Sequence, residues 1–456
     1  MSQAPPRPNP ARCALARSIG LAAFVYGYPL VESMRTCRLQ TRGATASVIG
    51  ASRPTIDRPL HWAGPTTADD RDVVTPANDL MYTTAWINLA DGPRLLGVPA
   101  AASQPGRYFV LALYDAYTEN FENLGARNCR AEGETVVLVG PKGVAPELLP
   151  PGQRVVRAPT DLVWLIARVL VVDADDLPRA KELQSTITLA ALPGSDHGHR
   201  PAAVEQWQGE PVDVMAAVLE RGEAHEPVAA RFFANLCRAL ADEPGRIEDR
   251  GLVAWFAQAG LKPGDGFDCA CLDEALREGL LQGFLDGVEL VASATRHRQA
   301  KPWVLPMRNG RYGSDYLMRA LVAYIGLGAL VADEALYAAG HFDADGQPLS
   351  GAHRYSMRFA PGELPPVDAF WSVTLYGADR YLFPNPIDRH AIGDRTRGLK
   401  PDADGGITIG FSHEPPRDTA NWLPTPDGPF YLILRLYHPR DGVHGWRIPP
   451  LQRAVS

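Results

Sequence analysis

The chain has 456 residues, of which 46% are hydrophobic and 21% charged. This composition is typical of a globular protein, and the length predicts about two to four domains. The 45 basic and 52 acidic residues give a net charge of -7, which argues against a nucleic-acid partner because phosphate binding needs a basic face. The six cysteines are scattered without a CxxC spacing, which favours free thiols in a reducing compartment over a disulfide framework or a zinc site.

The N-terminal segment, residues 1–40, reads as a proline-rich tail followed by a helix. The pattern predicts a helix from Ala11 to about Arg38, which either ends at Gly27 and Pro29 or continues beyond a kink there. Polar residues interrupt its apolar stretch, and no small-residue cleavage site follows, so we do not read it as a signal peptide. With no apolar run of about 18 residues, we expect a cytoplasmic protein without a membrane span.

Residues 41–200 are predicted to form an N-terminal β-rich domain. They contain runs of β-branched and aromatic residues of strand length, separated by short turns with glycine and proline. The runs are MYTTAWINL, RYFVLALYD, TVVLVG, RVVRA and VWLIARVLVV. Short turns between such strands predict an antiparallel sandwich.

Residues 201–300 are predicted to be helical, because their apolar residues recur every three or four positions. Residues 301–456 are predicted to form a helix capped by Ser314, followed by a second β-sandwich. The expected fold class is therefore α+β, with two antiparallel β-sandwich-like regions and a helical insertion between them.

Two strands in the predicted sandwiches resemble each other. The segments YFVLALYDAYTENF (108–121) and FWSVTLYGADRYLF (370–383) share Leu-Tyr, then Ala, then Phe, in register. Each follows an earlier strand and precedes a strand led by glycine. This order of elements predicts that one β-unit has been duplicated.

Several longer motifs carry a family resemblance that covers nearly the whole chain. They are TPANDLMYTTAWINL, RYFVLALYDAYTENFENLG and APTDLVWLIARVLV in the first β-region, and NGRYGSDYLMRALVAYIGLG, LPPVDAFWSVTLYG, NPIDRHAIGDR and NWLPTPDGPFYLILRLYHP in the last part of the chain. Together they resemble a bacterial two-domain family, in which domain of unknown function twelve-fifty-four precedes domain of unknown function twelve-fourteen.

The resemblance implies two β-sandwich-like regions with a helical insertion, and it implies no activity or catalytic residue. The chain departs from the usual pattern at Asp79-Leu80, where the family has Asp-Thr, and at His390 and His438, where an aromatic residue is more usual. These departures indicate either changed chemistry or drift.

The loop after the first of the two similar strands is the predicted catalytic site. Asp115, Tyr117 and Glu119 share one face if the strand pattern continues. Clustered carboxylates suit general acid/base work, because burial and mutual repulsion separate their pKa values. A solvated loop beside the sheet is the alternative.

Substrate-binding candidates surround this loop in the predicted fold. Arg435 and Tyr437 share one face of the closing strand, and arginine is suited to binding a carboxylate or phosphate. We expect this pair to lie near the acidic loop. The other candidates are the polar cluster Asn78, Asp79 and Tyr82, which turn chemistry also explains, and the aromatic ring of Trp422.

These residues predict a small-molecule enzyme that works by acid/base chemistry, without an organic cofactor, in a pocket lined by both β-regions. A non-catalytic carbohydrate- or protein-binding module is the alternative, with Trp371, Tyr381 and Trp422 as aromatic platforms. The third hypothesis is a metal-dependent enzyme that uses His390 or His438, the weak candidates for a metal ligand. The sequence leaves the substrate, the reaction and the oligomeric state open.

Overall fold

The structure is a computed structural model that describes residues 9–41, 55–71, 74–143, 149, 152–193, 202–207, 212–300, 303 and 305–454. The segment LPGSDHGHRP (192–201), rich in proline, glycine and histidine, is predicted to be a linker, and most of it lies outside these ranges. The described residues form seven α-helices: α1 (Pro10–Thr41), α2 (Leu177–Ser185), α3 (Val214–Leu219), α4 (His225–Asp242), α5 (Arg250–Phe256), α6 (Glu274–Gln299) and α7 (Tyr316–Ile325).

The strands fall into an N-terminal and a C-terminal set. The first set is β1 (Leu60–His61), β2 (Leu80–Asn88), β3 (Arg94–Val98), β4 (Phe109–Asp115), β5 (Asn120–Gly125), β6 (Glu134–Val139), β7 (Val155–Arg157), β8 (Leu162–Leu170) and β9 (Thr188–Ala191). The second set is β10 (Ala335–Gly340), β11 (Tyr355–Phe359), β12 (Val367–Gly377), β13 (Ala391–Gly393), β14 (Ile407–Ser412), β15 (Trp422–Pro424), β16 (Phe430–Pro439) and β17 (Leu451–Arg453).

Each set of strands forms two sheets that pack face to face. The first sandwich joins the sheet β1-β2-β8-β4-β5 to the sheet β7-β6-β3-β9, with Phe109, Leu165 and Val136 in the core between them. The second joins β10-β16-β12-β13 to β15-β14-β11-β17, around Trp371 and Leu434. The predicted α+β class with two sandwich-like regions is therefore confirmed.

The second sandwich repeats the topology of the first strand by strand. Strands β2 to β9 correspond in order to β10 to β17, and the two sheets of each sandwich have the same strand order. Both sandwiches contain one parallel pair, β6 with β7 and β14 with β15, at the same place. The predicted duplication of a β-unit is confirmed, and it extends over the whole sandwich.

The duplication is exact in register around the two strands that resemble each other in sequence. Val110 of β4 pairs with Gly125, and its counterpart Ser372 of β12 pairs with Gly393. The turns that follow also match: Thr118 and Arg380 have φ of 70° and 71°, and each N–H donates to the carbonyl three residues earlier. We call residues 80–191 and 335–453 the first and second repeats.

The helices form a separate layer centred on α1 and α6. Helix α1 continues past Pro29, which confirms the prediction that it does not end there, and most of its residues are buried. Glycines at 279, 283 and 287 bring α6 close to it: a Cβ at Gly283 would lie 2.2 Å from the carbonyl oxygen of Arg17. By length and composition α1 could cross a membrane, but 67% of its most apolar window is buried inside the protein.

Helix α7 begins one residue later than predicted. Asp315, and not Ser314, is the cap, because its Oδ1 accepts the N–H of Met318 at 3.2 Å. The helix lies between the helical layer and the first sandwich, where Arg319 is buried.

Candidate functional site

A cavity of about 220 Å³ lies where the large sheets of the two sandwiches face each other. Its walls come from equivalent positions in the two repeats, and the loop before β10 and the end of α7 complete it. The matched lining pairs, identified by their strand registers, are Tyr82 and Tyr337, Arg168 and Arg435, Trp164 and Tyr431, and Ile166 and Ile433.

Arg168 is a buried cation on this cavity wall. It lies opposite Tyr82 in the register of β2 and β8, and it is 7% exposed. Its guanidinium donates to the carbonyl oxygen of Gly328 at 2.8 Å and to the hydroxyl of Tyr114 at 3.4 Å. No described carboxylate lies within ion-pair distance of Arg168. An arginine has five N–H donors, so several remain for a ligand.

Arg435 occupies the same place in the second repeat and is 3% exposed. It donates to the hydroxyls of Thr374 and Tyr376 at 2.9 and 2.7 Å, and to the carbonyl oxygen of Thr75 at 2.8 Å. Asp79 is the nearby acid, and neither of its buried oxygens makes a hydrogen bond of good geometry. Burial raises the pKa of Asp79, while Arg435 opposes that rise.

Each repeat uses its arginine to hold a loop that leads into the other repeat. Tyr114 and Arg168 of the first repeat both donate to Gly328, ahead of β10. Tyr376 and Arg435 of the second donate to Pro76 and Thr75, ahead of β2. The two halves therefore meet across an approximate two-fold axis that passes through the cavity region.

The charge of the lining is strongly positive. Four arginines line the cavity, Arg168, Arg298, Arg380 and Arg435, whereas Asp70 is the acidic residue among the lining side chains. Arg380 forms an ion pair with Glu220 at 3.8 Å, and Arg298 donates a hydrogen bond to the sulfur of Met318 at 3.5 Å. A buried positive site of this kind favours an anionic ligand.

Aromatic and apolar side chains form much of the remaining wall, beside polar ones such as Gln40, Thr84 and Asn309. Trp164 stacks on Trp86 with centroids 5.0 Å apart, and Trp62 packs against Tyr82 at 5.6 Å. His341 stacks on Tyr431 at 4.9 Å, and burial lowers its pKa to about 4. The imidazole is therefore neutral at pH 7, and it adds a hydrogen-bonding group without adding charge.

The predicted catalytic loop lies outside the lining of this cavity. Asp115 accepts the N–H groups of Tyr117 and Glu119, and the Tyr117 hydroxyl donates to the carbonyl oxygen of Glu243. Glu119 accepts the N–H groups of Tyr312 and Gly313 at 2.8 and 3.0 Å. These contacts join the first sandwich to the helical layer, and the catalytic role of the loop stays a prediction.

The expected approach of Arg435 and Tyr437 to the acidic loop is not formed. The donors of Arg435 go to residues 75, 374 and 376, and the cation nearest Glu119 is Arg319, at 3.8 Å. The reason is topological. In the duplicated fold Arg435 occupies the position equivalent to Arg168. It therefore lies on the cavity wall and not beside the loop after β4.

The Asp115 carboxyl gives a prediction for stability. Burial, with a smaller contribution from the charge of Glu119, raises its pKa to about 7. Between about pH 4 and pH 7 the Asp115 carboxyl is protonated in the folded protein and ionised in the unfolded chain. The free energy of unfolding therefore falls as the pH rises through this window. We expect Asp115→Asn, whose Oδ1 can still accept both N–H groups, to remove this dependence.

The measurement is urea unfolding of the wild type and Asp115→Asn at pH 5 and pH 8. The variant should be the more stable protein at pH 8, by up to roughly 4 kcal/mol. Asp388→Asn, on a side chain that is 90% exposed, is the control. A variant that follows the wild-type pH dependence would contradict the raised pKa.

The other predicted residues divide between the cavity and structural positions. Tyr82 and Tyr437 line the cavity. Asn78, Asp79 and His390 instead line a second cavity of about 480 Å³ at the edge of the same interface. Asn78 donates to the carbonyl oxygen of Thr66 at 2.7 Å.

Trp422 is not a ligand-binding residue of either cavity. It is 3% exposed, and its indole donates to the carbonyl oxygen of Ser412 inside the second sandwich. Trp371 is 2% exposed, so two of the three rings proposed as a surface platform are core residues. Tyr381 is part-exposed, and Arg71 lies over its ring at 4.3 Å.

The two histidines considered for a metal each have a single acidic neighbour. His390 lies 3.0 Å from Asp388, and His438 lies 2.9 Å from Glu334. In the part of the chain that the structure describes, no three His, Cys, Asp or Glu side chains are grouped to hold a metal ion. None of the six cysteines, all of which lie in the described ranges, forms a disulfide.

Arg168 is the site residue that sequence reasoning missed, although a signal was present. It stands alone in an apolar run, as Arg435 does, and the segments WLIARVL (164–170) and YLILRLY (431–437) share Leu, Ile and Arg in register. Aligned together with the segments 108–121 and 370–383, these strands match the two arginines.

The structure resembles that of the VPA0106 protein from Vibrio parahaemolyticus, with a TM-score of 0.69 and 23% identity over 96% of this chain and 100% of that one. An uncharacterized protein from Burkholderia cenocepacia is also similar, with a TM-score of 0.46 and 14% identity over 97% and 95% of the two chains. The first likeness supports the fold alone. No curated protein matches the chain.

Two family models match the two sandwiches. Residues 56–191 match the protein of unknown function DUF1254, and residues 334–441 match the protein of unknown function DUF1214. The first range contains the first repeat, the second covers most of the second repeat, and the two follow the predicted order. The chain therefore belongs to the two-domain family in which a DUF1254 region precedes a DUF1214 region.

Proposed function

We propose that the protein binds a small organic anion in the cavity between the two repeats. The observation that carries this proposal is Arg168, a buried guanidinium on the cavity wall with no described carboxylate within ion-pair distance. A buried charge without a counter-ion is costly, and a carboxylate ligand would supply the missing charge together with charge-assisted hydrogen bonds.

The rest of the lining fits the same class of ligand. The phenol groups of Tyr82, Tyr337 and Tyr437 offer hydrogen bonds, and burial raises the pKa of Tyr337 and Tyr437, so both remain protonated at neutral pH. Trp62, Trp164 and the isoleucines favour an apolar or aromatic body. We therefore propose a carboxylate on an apolar group as the ligand.

The lining favours binding over proton transfer as the primary role of this cavity. Asp115, whose pKa is raised to about 7, lies outside the lining, and His341 on the lining is held neutral. Acid/base catalysis by Asp115 and Glu119 would require a different ligand position from the one that the arginines define.

Isothermal titration calorimetry with benzoate and octanoate tests the proposal, with benzamide and octanamide as neutral controls. We expect saturable binding of at least one acid at micromolar to millimolar concentrations, and binding of its amide at least tenfold weaker. Arg168→Met should weaken the acid at least tenfold, because it removes charge-assisted hydrogen bonds.

Arg296→Met is the matched control, because Arg296 is a surface residue of α6 and its loss changes the net charge equally. It should leave affinity unchanged. The proposal fails if neither acid binds, or if both arginine variants weaken the acid alike. Arg168→Met should itself fold, since Tyr114 still donates to Gly328, and its unfolding free energy should change by less than about 1 kcal/mol.

A further inference from the structure

The two repeats place two equivalent arginines on the wall of one cavity. Arg168 pairs across strands with Tyr82 and with Val110, while Arg435 pairs with Tyr337 and with Ser372, the counterpart of Val110. Each guanidinium is held by the tyrosine of its own repeat, Tyr114 or Tyr376. The cavity therefore contains two anion-binding groups of the same construction, one from each repeat.

The two groups line one cavity of about 220 Å³, and the guanidinium carbon of Arg435 lies 6.0 Å from the ring centroid of Tyr337 in the same repeat. Tyr337 lies in the electrostatic field of both: burial raises its pKa, and Arg168 and Arg435 each oppose that rise. Tyr82 in turn interacts with both guanidinium groups, and the Arg168 guanidinium carbon is 5.8 Å from its ring centroid. Each tyrosine therefore interacts with both arginines on the wall of the same cavity.

The wall next to each arginine is apolar in the same way. Alternate residues of a strand share a face, so Trp164 and Ile166 precede Arg168 on the same face of β8. Tyr431 and Ile433 precede Arg435 in the same way on β16. A ligand that extends from one guanidinium to the other would lie along apolar and aromatic side chains.

Arg168 and Arg435 repel each other across the cavity, and a monoanion bound to Arg168 leaves Arg435 beside Asp79, a buried acid whose raised pKa weakens its offset of the Arg435 charge. Two separate monoanions would repel each other and would each lose translational and rotational freedom on binding. A single molecule that carries both charges loses its translational and rotational freedom only once, because its second contact forms within the complex.

We infer that the ligand of this cavity carries two carboxylates, or equivalent anionic groups, at the ends of one apolar spacer. The inference rests on the proposed function and specifies its ligand class. One anionic group binds Arg168, the other binds Arg435, and the spacer contacts Ile166, Ile433 and the flanking aromatic rings.

The test compares dicarboxylates from succinate to suberate with the monocarboxylates of equal carbon number, from butyrate to octanoate, by calorimetry at constant ionic strength. Because the arginines are fixed on rigid strands, we expect one chain length to bind best and to exceed its monocarboxylate at least tenfold. Arg168→Met and Arg435→Met should each lower the affinity for the best dicarboxylate to that for the monocarboxylate of equal carbon number. Arg296→Met should leave the affinity for the dicarboxylate unchanged.

The outcomes separate this inference from the proposed function. If monocarboxylates bind in an Arg168-dependent way and no dicarboxylate exceeds its partner tenfold, the two-charge ligand is rejected and anion binding stands. If neither series binds saturably, both fail. If Arg435→Met leaves the best dicarboxylate unaffected while Arg168→Met weakens it, the second arginine has no part in binding and the inference is also rejected.

Discussion

Replacing Gly283 by alanine is expected to destabilise the protein by roughly 2–3 kcal/mol, although alanine is the better helix former. The added Cβ would lie 2.2 Å from the carbonyl oxygen of Arg17 and 2.7 Å from the amide nitrogen of Leu21. Both are backbone atoms of α1, which no rotamer change can move. The helices must separate, and the buried face of α1 loses its close packing.

Gly251→Ala is the matched control, because this glycine lies in α5 and a Cβ there meets no atom within 4 Å. It should gain up to about 1 kcal/mol from helix propensity. Urea unfolding followed by circular dichroism measures both variants. If the two substitutions changed stability by the same amount, close approach of α1 and α6 would not be what Gly283 provides.

Replacing Arg319 by methionine is expected to cost roughly 2–4 kcal/mol. Arg319 is 1% exposed, and its guanidinium carbon lies 5.3 Å from the ring centroids of Tyr26, Tyr117 and Tyr316. Glu119 lies 3.8 Å away. The substitution removes three cation–π contacts and leaves the Glu119 charge without its cation, where α1, α7 and the first sandwich meet.

The contrast with Arg168→Met makes this prediction specific. Both arginines are buried, but Arg319 has an acidic partner and an aromatic cage, whereas Arg168 has neither a described acidic partner nor a cage. Arg319→Lys, which keeps the charge, should recover part of the loss. Equal stabilities of Arg319→Met and Arg168→Met in urea would show that the cage contributes nothing.

The sequence predicted the β-architecture well, because alternation and turn residues are local signals. The strand runs at 81–89, 107–115 and 163–172 each lie within two residues of β2, β4 and β8. The α1–α6 contact was not predicted, since it depends on which glycines face each other across more than two hundred residues of chain. Propensity alone treats those glycines as weak points of a helix.

The site was predicted in part, for a related reason. Arg435 and Tyr437 were predicted from their place in an apolar strand, and Tyr82 from a polar cluster at the start of another strand; all three line the cavity. The acidic loop looked catalytic because its residue types suit acid/base work, but residue type does not reveal the partner. The carboxylate oxygens of Asp115 and Glu119 accept backbone N–H groups, and Glu119 also lies 3.8 Å from Arg319. The spacing of residues in the sequence does not reveal these partners.

The approximate two-fold axis has a consequence for how a ligand could be recognised. Its geometry is that of a symmetric homodimer interface contained within one chain, so each half has been free to change alone. Near one end of the interface, the Glu334 carboxylate forms hydrogen bonds with Tyr108, Arg127 and His438. Asp79 is the equivalent acid of the first repeat, and the residue equivalent to Tyr108 on its side is Phe370. In a true dimer a ligand would bind equally in two opposite directions. In this chain the unequal halves would make the two directions differ in energy for a ligand bound at the proposed site.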